Sequence, residues 1–355
     1  MSPSDTPDLQ SIIGAAPEGT TILFADGTYP IDSGYLWISQ PGITLRSASG
    51  DPGSVILDGN YGGTEIVTIA ASDVTIAELT ITRAYTHPIH VTSSDAGDTR
   101  GTRIYRVRVV DPREQAIKIN PHAPGSYADE GEIACSTLLL TDEGRPHVNP
   151  TSGGCYTGGV DAHQARDWVI RDNRIEGFWC DSGLSEHAIH MWRGCRDTIV
   201  ERNQLVDNAR GVGFGMASEG EARTFDDDPC PEAPGAYIDH YGGIIRNNTI
   251  FVSSPDLLSS SDGFDCGVCL WSACGARVLH NSIASTGDNF SSVEWRFAGS
   301  VGIEITNNIA SHTLRAREDA DALLVSNLQS ASLDLFVDGP GGDLHLSPDA
   351  SDAIG

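Results

Sequence analysis

The sequence predicts an all-β solenoid, in which short strands stack as successive coils around one apolar core. Three observations support this fold class. Glycine (39 residues) and proline (18 residues) are spread along the chain among many Asn, Asp, Ser and Thr residues, which is typical of frequent turns. Short runs rich in Val, Ile and Thr lie between these turns, and few segments could form a long helix. Two short sequence patterns also recur in step with each other along most of the chain.

The first pattern is a strand-like run followed by a turn that contains asparagine. It occurs in WVIRDNRIEGF, TIVERNQLVDN, GIIRNNTIFV, ARVLHNSIAS, GIEITNNIAS and LLVSNLQS. The asparagines are Asn173, Asn203, Asn248, Asn281, Asn308 and Asn327. Stacked coils would repeat one turn at this position, and asparagine tolerates the left-handed backbone that such a turn needs. We also expect the side-chain amides to hydrogen-bond from coil to coil.

The second pattern precedes the first and defines strands with one outward face. It occurs in PIHVT, AIKIN, GVDAH, AIHMW, GVGFG, GVCLW and SVEWR. Because side chains alternate along a strand, the outward residues should align in two columns. The first column is His90, Lys118, Asp161, His190, Gly213, Cys269 and Glu294. The second column is Thr92, Asn120, His163, Trp192, Gly215, Trp271 and Arg296.

The spacing of these columns resembles that of the right-handed parallel β-helix family over nearly the whole chain. Intervals along the first column are 28, 43, 29, 23, 56 and 25 residues, so we expect two long insertions, at about residues 121–156 and 216–264. The stretch PDLQSIIGAA resembles the short N-terminal capping helix of that family, and GTTILFADGTYPI its first strand and turn. The resemblance implies a single parallel β-helix domain over residues 1–355.

The net charge of the chain excludes some classes of partner. With 49 acidic residues and a formal charge of -27, the protein should repel nucleic acid and anionic membranes. The acidity, with arginine in place of lysine, also suits a salty habitat or a GC-rich genome. No stretch reaches the roughly 18 apolar residues that a membrane span needs. We therefore expect no nucleic-acid or membrane partner.

Cysteine usage indicates export. The eight cysteines are Cys135, Cys155, Cys180, Cys195, Cys230, Cys266, Cys269 and Cys274. Most lie in loop-like sequence, which favours disulfides and a secreted or periplasmic location. Cys135 with Cys155, and Cys266 with Cys274, would each close a loop, although spacing alone does not define the pairing. Cys266 and Cys269 have a zinc-ligand interval, but no second such pair follows. The start, MSPSDTPDLQ, lacks an apolar signal core, so we expect the signal peptide to be absent from this sequence.

Lys118 is the one lysine among 22 basic residues, and its position in the outward column draws attention to its neighbours. Strands of neighbouring coils lie about 4.8 Å apart, so Lys118, Asp161 and His190 should form one cluster. His163 faces the same way, roughly 6–7 Å along the strand from Asp161. An outward Lys–Asp pair is ordinarily a surface ion pair worth under about 1 kcal/mol. The uniqueness of the lysine favours a functional role here.

Further outward residues are candidates for binding a sugar polymer. Trp192 and Trp271 offer flat apolar faces that stack on sugar rings. Gly213 and Gly215 between them would leave floor space for a polymer. Residues near these positions complete the expected substrate-binding set, which is Trp192, Trp271, Arg296, Asn120, Glu186 and His187. Glu186 and His187 precede His190 in a turn, and a purely structural capping role there is the alternative.

The stretch YTGGVDAHQARDWVIRDN, residues 156–173, resembles the active-site region of bacterial alginate C5-epimerases, whose signature is Asp-Pro-His followed by an acidic residue. Asp161 and His163 match the signature, whereas Ala162 replaces its proline and Gln164 its acidic residue. The resemblance implies proton transfer by His163 and a tyrosine. Tyr156 is the candidate, although it lies farther from the signature than in the family. It also implies lysine and arginine near the substrate carboxylate, for which Lys118 and Arg210 are candidates.

The stretch SEHAIHMWRGCRDTIVERN resembles β-helix polysaccharide lyases of the alginate lyase and chondroitinase B type, in which a Glu-bearing strand ends in a basic residue before an Asn turn. Arg193 holds the position of the basic residue. A second catalytic arginine would be expected one coil later, where Phe214 and Gly215 stand instead.

Both resemblances imply the same first step, in which a base removes the proton α to a uronate carboxylate. Positive charge must neutralise that carboxylate, and Lys118, Arg193 or Arg210 could supply it. His163 or His190 would be the base, with Asp161 orienting the ring. Expulsion of the 4-O-glycosidic bond makes the enzyme a lyase, and reprotonation from the opposite face makes it an epimerase. We predict a polysaccharide lyase acting on an acidic, uronate-containing polysaccharide, with the epimerase as the first alternative.

Two further classes stay open. A hydrolase, as in polygalacturonase-like β-helices, needs two acids within about 5–10 Å. Glu186 could approach Asp161, whereas Glu294 lies about 15–19 Å away by the ladder spacing. A non-catalytic carbohydrate-binding adhesin needs only the solenoid and its aromatic residues. We expect a monomer with no required cofactor and no assigned metal ligand. Ca²⁺ could bind acidic loop residues, which are Asp226, Asp227, Asp228, Asp262 and Asp265.

Overall fold

The computed structural model describes residues 1–149, 154–181, 183–318 and 320–354. Within these residues, three long parallel sheets contain 11, 10 and 10 strands. Within these three sheets, strands that follow one another in sequence lie in different sheets, and the hydrogen-bonded partners of each strand lie one coil away. The predicted fold class, a right-handed parallel β-helix with a short N-terminal helix, is confirmed.

Sheet 1 runs the full length of the described solenoid. Its strands are Thr21–Phe24, Thr44–Ser47, Thr75–Ala77, Arg103–Tyr105, Glu132–Ala134, Val169–Arg171, Ile199–Glu201, Ile244–Arg246, Arg277–Leu279, Ile303–Thr306 and Ala322–Val325. Alternation places the central residue of most strands inward, as with Ile104, Ile133 and Ile170, which pair in register and are fully buried.

Sheet 2 follows sheet 1 in each coil. Its strands are Gly27–Pro30, Val55–Asp58, Thr80–Thr82, Arg108–Val110, Thr137–Leu139, Arg174–Glu176, Gln204–Val206, Thr249–Val252, Ser282–Ser285 and Ile309–Ala310. Its inward column includes Leu138, Ile175 and Leu205, which are buried and paired in register. Burial of such columns, coil against coil, supplies most of the stability of a solenoid.

Sheet 3 carries the longer strands and the candidate site. Its strands are Leu36–Ile38, Val67–Ile69, Ile89–Thr92, Gln115–Asn120, Gly158–His163, Ile189–Trp192, Arg210–Phe214, Phe264–Trp271, Asn289–Arg296 and Leu314–Ala316.

Helices and smaller sheets decorate the solenoid. The helix Leu9–Ala15 covers its N-terminal end with Leu9 and Ile13 buried in the core. The other helical segments are the 3-10 turns Pro3–Asp8, Arg145–His147 and Leu333–Leu335 and the short helices Pro255–Ser259 and Ser351–Ile354. The smaller strands are Thr99–Arg100 with Ala128–Asp129, Cys195–Arg196 with His240–Tyr241 and Ala273–Cys274, and the antiparallel pair Phe336–Asp338 with Asp343–Leu346. Among the described residues, no helix has both the length and the apolar character needed to cross a bilayer.

The asparagine ladder forms as expected at the corner between sheets 1 and 2. Asn203 donates from Nδ2 to Asn248 Oδ1 at 3.0 Å, and its backbone N–H donates to the same oxygen at 2.9 Å. The same pair of bonds joins each rung from Asn173 to Asn327. The left-handed residue, however, is the one before each ladder asparagine, such as Arg202 with φ of 53°. The side chain of each ladder asparagine points into the solenoid to reach the next asparagine. The residue before it therefore adopts the left-handed conformation that turns the chain.

The two ranges predicted as insertions contain regular structure as well. Strands of sheets 1 and 2 cross residues 121–156 at 132–134 and 137–139, and cross residues 216–264 at 244–246 and 249–252. Among the described residues, the other parts of each range lie in the connections that precede or follow strands of sheet 3. Residues 150–153, within the first range, lie outside the described part of the chain.

The disulfides differ from the suggested pairs. The structure pairs Cys155 with Cys180, Cys230 with Cys274, and Cys266 with Cys269. Cys135 is a free, exposed thiol at the corner between sheets 1 and 2, whereas Cys155 lies just before a strand of sheet 3, on another side of the coil. Cys266 and Cys274 are held apart by the extended strand Phe264–Trp271. Sequence spacing could not show these positions around the coil.

Candidate active site

The register of sheet 3 aligns the first outward column as the sequence predicts. Lys118 pairs with Asp161, and Asp161 pairs with His190. The column continues through Gly213, Cys269 and Glu294. In the second column His163 pairs with Trp192. Residues from three successive coils therefore meet at one place on the outer face of the sheet.

A third outward column lies on the same face and was missed by sequence analysis. Gln115 pairs with Gly158, and farther along the sheet Arg210 pairs with Cys266 and Cys266 with Ser291. The longer strands of the sheet place two consecutive residues inward, such as Ala116 and Ile117, so the alternation shifts by one residue. In the sequence, the small residue before each inward Ile or Val is the signal that could have predicted this shift.

Asp161 is the centre of the cluster. Its carboxylate accepts hydrogen bonds from Lys118 Nζ and, at 2.7 Å, from Trp192 Nε1. His163 Nε2 lies 3.4 Å from Asp161 Oδ2, and His190 Nδ1 lies 3.8 Å from Asp161 Oδ1. Only 1% of Asp161 and 6% of Lys118 are exposed. We call Lys118, Tyr156, Asp161, His163 and His190 the Lys118 cluster.

Burial and charge pairing fix the protonation of this ion pair. Burial alone would raise the pKa of Asp161, but Lys118 and the neighbouring imidazoles hold that pKa well below its usual value. Burial likewise opposes the charge of Lys118, but Asp161 and Tyr156 outweigh it and raise the pKa of Lys118. Both groups are therefore charged at neutral pH, and Asp161 is not available as a proton donor.

His163 is neutral and partly accessible. Its Nε2 lies 2.9 Å from Lys118 Nζ, and because an ammonium group can only donate, Nε2 accepts and the ring proton is on Nδ1. Burial, with Lys118 and Arg193 nearby, lowers the pKa of His163. Burial also raises the pKa of Tyr156, although a hydrogen bond with Lys118 acts in the opposite direction. The His163 side chain is 17% exposed, which gives the cluster its contact with solvent.

Trp192 packs against the Lys118 cluster and does not form an open sugar platform. Its ring stacks on His190 at 5.0 Å between centroids and meets His163 edge-on at 4.7 Å. The guanidinium of Arg193 lies 4.8 Å from the Trp192 centroid. Arg193 is exposed, and its guanidinium forms no ion pair with any residue in the described ranges. It is thus a free positive charge at the rim of the cluster.

Arg210, Trp271 and Arg296 are not brought to Lys118. Arg210 Nε donates to Asp265 at 2.8 Å, and Arg296 Nε donates to Glu318 at 2.7 Å. Trp271 is only 5% exposed, and its Nε1 donates to the buried Glu294.

Asn120 lies on the other side of Lys118, where it meets His90 at 2.5 Å. Of the carboxylates expected for Ca²⁺, Asp227 accepts two hydrogen bonds from Arg196, at 2.7 and 2.8 Å. Asp265 accepts one hydrogen bond from Arg210 Nε, at 2.8 Å.

The expected floor space at Gly213 and Gly215 is filled. A Cβ at Gly213 would lie 2.6 Å from the ring of His187, so that ring occupies the space above the glycine. A Cβ at Gly215 would lie 1.8 Å from the carbonyl oxygen of Trp271, and its φ is 77°. The space next to these glycines is filled by other residues of this chain, which leaves no room there for a polymer.

Two connections next to sheet 3 form arms: residues 140–149 and 154–156 are the first arm, and residues 216–239 are the second arm. Arg223, from the second arm, forms two hydrogen bonds with the fully buried carboxylate of Asp129, at 2.8 and 3.0 Å. The same guanidinium lies 3.6 Å from the Tyr127 ring centroid. A cavity of about 740 Å³ is lined by Arg145 and Val148 of the first arm together with Trp179 and Ser260.

Comparisons with known proteins define the fold. No protein-family model matches the sequence, and no curated protein matches it significantly. Among solved structures, an alginate lyase from Paenibacillus sp. strain FPU-7 is similar, with a TM-score of 0.56 and 16% identity over 92% of this chain and 97% of that one. A surface adhesin of Streptococcus pneumoniae, PfbA, has a TM-score of 0.53 and 12% identity over 93% and 91%. A polygalacturonase from Erwinia carotovora has a TM-score of 0.52 and 11% identity over 90% and 93%.

These three similar structures differ in function by their own names, being a lyase, an adhesin and a hydrolase. A shared fold at such low identity shows the parallel β-helix architecture and leaves activity to the side chains of the site.

Proposed function

We propose that the protein is a polysaccharide lyase that cleaves a uronate-containing polysaccharide by proton abstraction at C5 and β-elimination. One observation carries this proposal: a buried Lys118–Asp161 ion pair contacts a neutral imidazole, His163, and a tyrosine, Tyr156. A base, a proton donor and a fixed positive charge are the three groups that this reaction needs.

Charge neutralisation would come from two cations. Arg193 is exposed and lies at the rim of the cluster, where it would bind the substrate carboxylate. Lys118 would face the same carboxylate from below and stabilise the enolate-like intermediate. Removal of one such preorganised donor typically costs about 10²–10³-fold in rate.

His163 is the better candidate for the base. Its pKa is lowered, so it is unprotonated at neutral pH, and its side chain is partly exposed. His190 is 0% exposed, and its Nδ1 faces Glu186 Oε2 at 3.1 Å. When the Lys118 ammonium turns to the substrate carboxylate, the lone pair on His163 Nε2 is released to accept the C5 proton.

The groups present account for each electron pair and proton in the elimination step. The electron pair of the C5–H bond forms the C4=C5 double bond, and the C4–O bond breaks. The leaving glycosidic oxygen takes its proton from the Tyr156 hydroxyl, which solvent then reprotonates. Asp161 stays ionised throughout and holds Lys118 in place.

The epimerase is the second candidate because it uses the same intermediate. Asp161 and His163 lie one coil from Lys118, which is the arrangement that the resemblance to alginate C5-epimerases implies. Reprotonation at C5 from the opposite face would then replace cleavage. A hydrolase is disfavoured because the pKa of Asp161 is held far below that of a general acid.

Wild-type protein incubated with alginate, pectate and glycosaminoglycans tests the proposal. We expect ultraviolet absorbance from unsaturated chain ends with one of these polymers, and its loss in Arg193→Gln. Arg277→Gln, which breaks the surface pair with Glu304 on sheet 1, is the matched control and should keep activity. Proton NMR distinguishes the alternatives: altered uronate composition without cleavage would indicate an epimerase, and saturated fragments a hydrolase. Binding without any chemical change would indicate an adhesin.

We also infer that the protein is exported to a secreted or periplasmic location as a monomer. The disulfides Cys155–Cys180, Cys230–Cys274 and Cys266–Cys269 support export, because such bonds persist in oxidising compartments. Fractionation of cells that make the full natural chain tests the location, and a mass measurement in solution tests the monomer.

A further inference from the structure

Beside the Lys118 cluster, and sharing His190 with it, lies a group of polar atoms without hydrogen-bond partners in the described structure. Glu186, His187 and His190 each offer one ligand atom, and these atoms lie within 4.8 Å of one another. Glu186 Oε2, both ring nitrogens of His187, and His190 Nδ1 are buried and form no hydrogen bond in the described structure. A buried polar atom without a hydrogen bond costs about 1–3 kcal/mol, so four together at one place call for a missing partner.

The contacts of His190 leave a place for a cation. Its Nε2 lies 3.3 Å from the carbonyl oxygen of Gly215, which can only accept, so Nε2 carries a proton. His190 Nδ1 lies 3.1 Å from Glu186 Oε2, and a positive species must lie between these two atoms, either a second proton on the ring or a metal ion. Metal-bound histidines commonly donate their second ring N–H to a backbone carbonyl, as His190 does here.

His187 is the third member of the group, and its ring fills a fixed place in the fold. Its ring lies above Gly213, where any Cβ would collide with it, and its centroid is 4.4 Å from that of His190. The ring is 0% exposed.

We propose that Glu186, His187 and His190 form a binding site for a divalent transition-metal ion of the Zn²⁺ type. Two ligands about 2.0–2.2 Å from one such ion, at tetrahedral or octahedral angles, lie about 3–3.5 Å apart, which the Glu186–His190 separation satisfies. Two imidazoles and one carboxylate favour zinc-like ions over Ca²⁺ or Mg²⁺, which prefer oxygen. The ion would enter past Glu186, whose side chain is 17% exposed.

The neighbouring cysteines offer a second possible set of metal ligands, which also includes His187. His187 also forms a ligand-like group with Cys266 and Cys269, all three buried. In the structure these cysteines are bonded to each other, so their sulfurs are not metal ligands. Reduction by a thiol, which adds two electrons and two protons, would be needed before they could bind an ion. The oxidised protein therefore offers the ion Glu186, His187 and His190.

Metal titration of the oxidised protein tests this site without any substrate, so its outcome is independent of the proposed lyase activity. After treatment with a chelator and dialysis, the protein is titrated with ZnCl₂ by calorimetry and with CoCl₂ by visible absorption. We expect one ion per chain. Glu186→Gln and His187→Gln should each weaken binding by at least about 10-fold. Because His187 is fully buried, circular dichroism must show that its variant folds, and Glu186→Gln provides the independent test at a partly exposed position.

Two controls separate this site from others. His345→Gln removes an exposed histidine beside Asp343, and Glu232→Gln alters the group around the Cys230–Cys274 disulfide. Both should bind the ion like wild type. The double variant Cys266→Ser with Cys269→Ser should also retain binding. Absence of binding by the wild type would overturn the proposal, and so would binding that is lost in the cysteine variant but kept in Glu186→Gln.

Discussion

Lys118 forms a buried ion pair that affects both the stability of the protein and its proposed reaction. Its ammonium ion is almost completely buried and bonded to Asp161, a carboxylate with 1% exposure. Burial of such a pair adds little net stability, but removal of one partner leaves the other charge uncompensated. The sequence marked this residue only because no second lysine occurs in the chain.

Replacement of Lys118 by Met should therefore lower both stability and activity. We expect a loss of about 3–5 kcal/mol in the free energy of unfolding, because Asp161 keeps its charge without a partner. The double variant Lys118→Met with Asp161→Asn removes both charges and should recover most of that stability, with activity still reduced by at least about 10²-fold. Urea unfolding and initial rates on the cleaved polymer measure the two effects. A double variant as active as wild type would exclude a catalytic role for the pair.

The proposed base makes the rate depend on pH. His163 must be neutral, and its pKa is lowered below the ordinary value of 6.5 by burial. The rate should be constant around neutrality and fall only when the pH drops through that lowered pKa. The raised pKa of Lys118 keeps its charge well into the alkaline range. A profile of kcat/KM against pH checks this, and an acidic limb that persists in His163→Gln would assign the titration to another group.

At the scale of elements, the asparagine ladder joins the coils at one corner. Asn203, for example, uses its oxygen twice and its Nδ2 twice, in bonds with Asn173, Asn248 and the carbonyl of Ile170. The recurring Asn in the sequence predicted this ladder directly, because every coil repeats the same local chemistry. The position of the left-handed residue depended on which way the side chain turns, and only the folded corner shows that.

Interruption of the ladder should be costly. Asn203→Ala leaves a buried N–H of Asn173 and the carbonyl of Ile170 without partners, so we expect a loss of about 1–3 kcal/mol in the free energy of unfolding. Gln204→Ala, at the adjacent exposed position, is the control and should change stability by less than about 0.5 kcal/mol. Urea denaturation of both variants provides the comparison. Equal stabilities would mean that the ladder contributes nothing beyond strand packing.

At the scale of the whole molecule, buried neutral histidines link stability to pH. Burial lowers the pKa of His87 to about 3 and that of His240 to about 3, whereas both are near 6.5 in an unfolded chain. The unfolded state thus binds more protons between these values, so this contribution to stability is complete above pH 6.5 and is lost as the pH falls. Each histidine contributes a slope of about 1.4 kcal/mol per pH unit within that window.

We therefore expect the free energy of unfolding to fall steadily from pH 6.5 to pH 5. His240→Gln should reduce that slope by up to about 1.4 kcal/mol per pH unit, because its side chain no longer titrates. Urea unfolding at several pH values measures both slopes. His345→Gln, on the exposed C-terminal hairpin, serves as the control and should leave the slope unchanged. A slope that His240→Gln does not alter would show that other groups govern the acid response.

The sequence by itself determined the solenoid, the Asn corner and the coil-to-coil alignment of Lys118, Asp161 and His190, because these follow from local alternation and a repeated turn. The tertiary structure decided the features that the alternation of residues along a strand does not predict. In sheet 3, the extra inward residue of strands such as Arg210–Phe214 brought Arg210 to the outer face. The path of the two arms back to the solenoid set the disulfide pairs Cys155–Cys180 and Cys230–Cys274. Burial decided the rest: it made Trp192 and Gly213 parts of the packed site, because solvent exposure depends on every neighbouring coil and not on one strand.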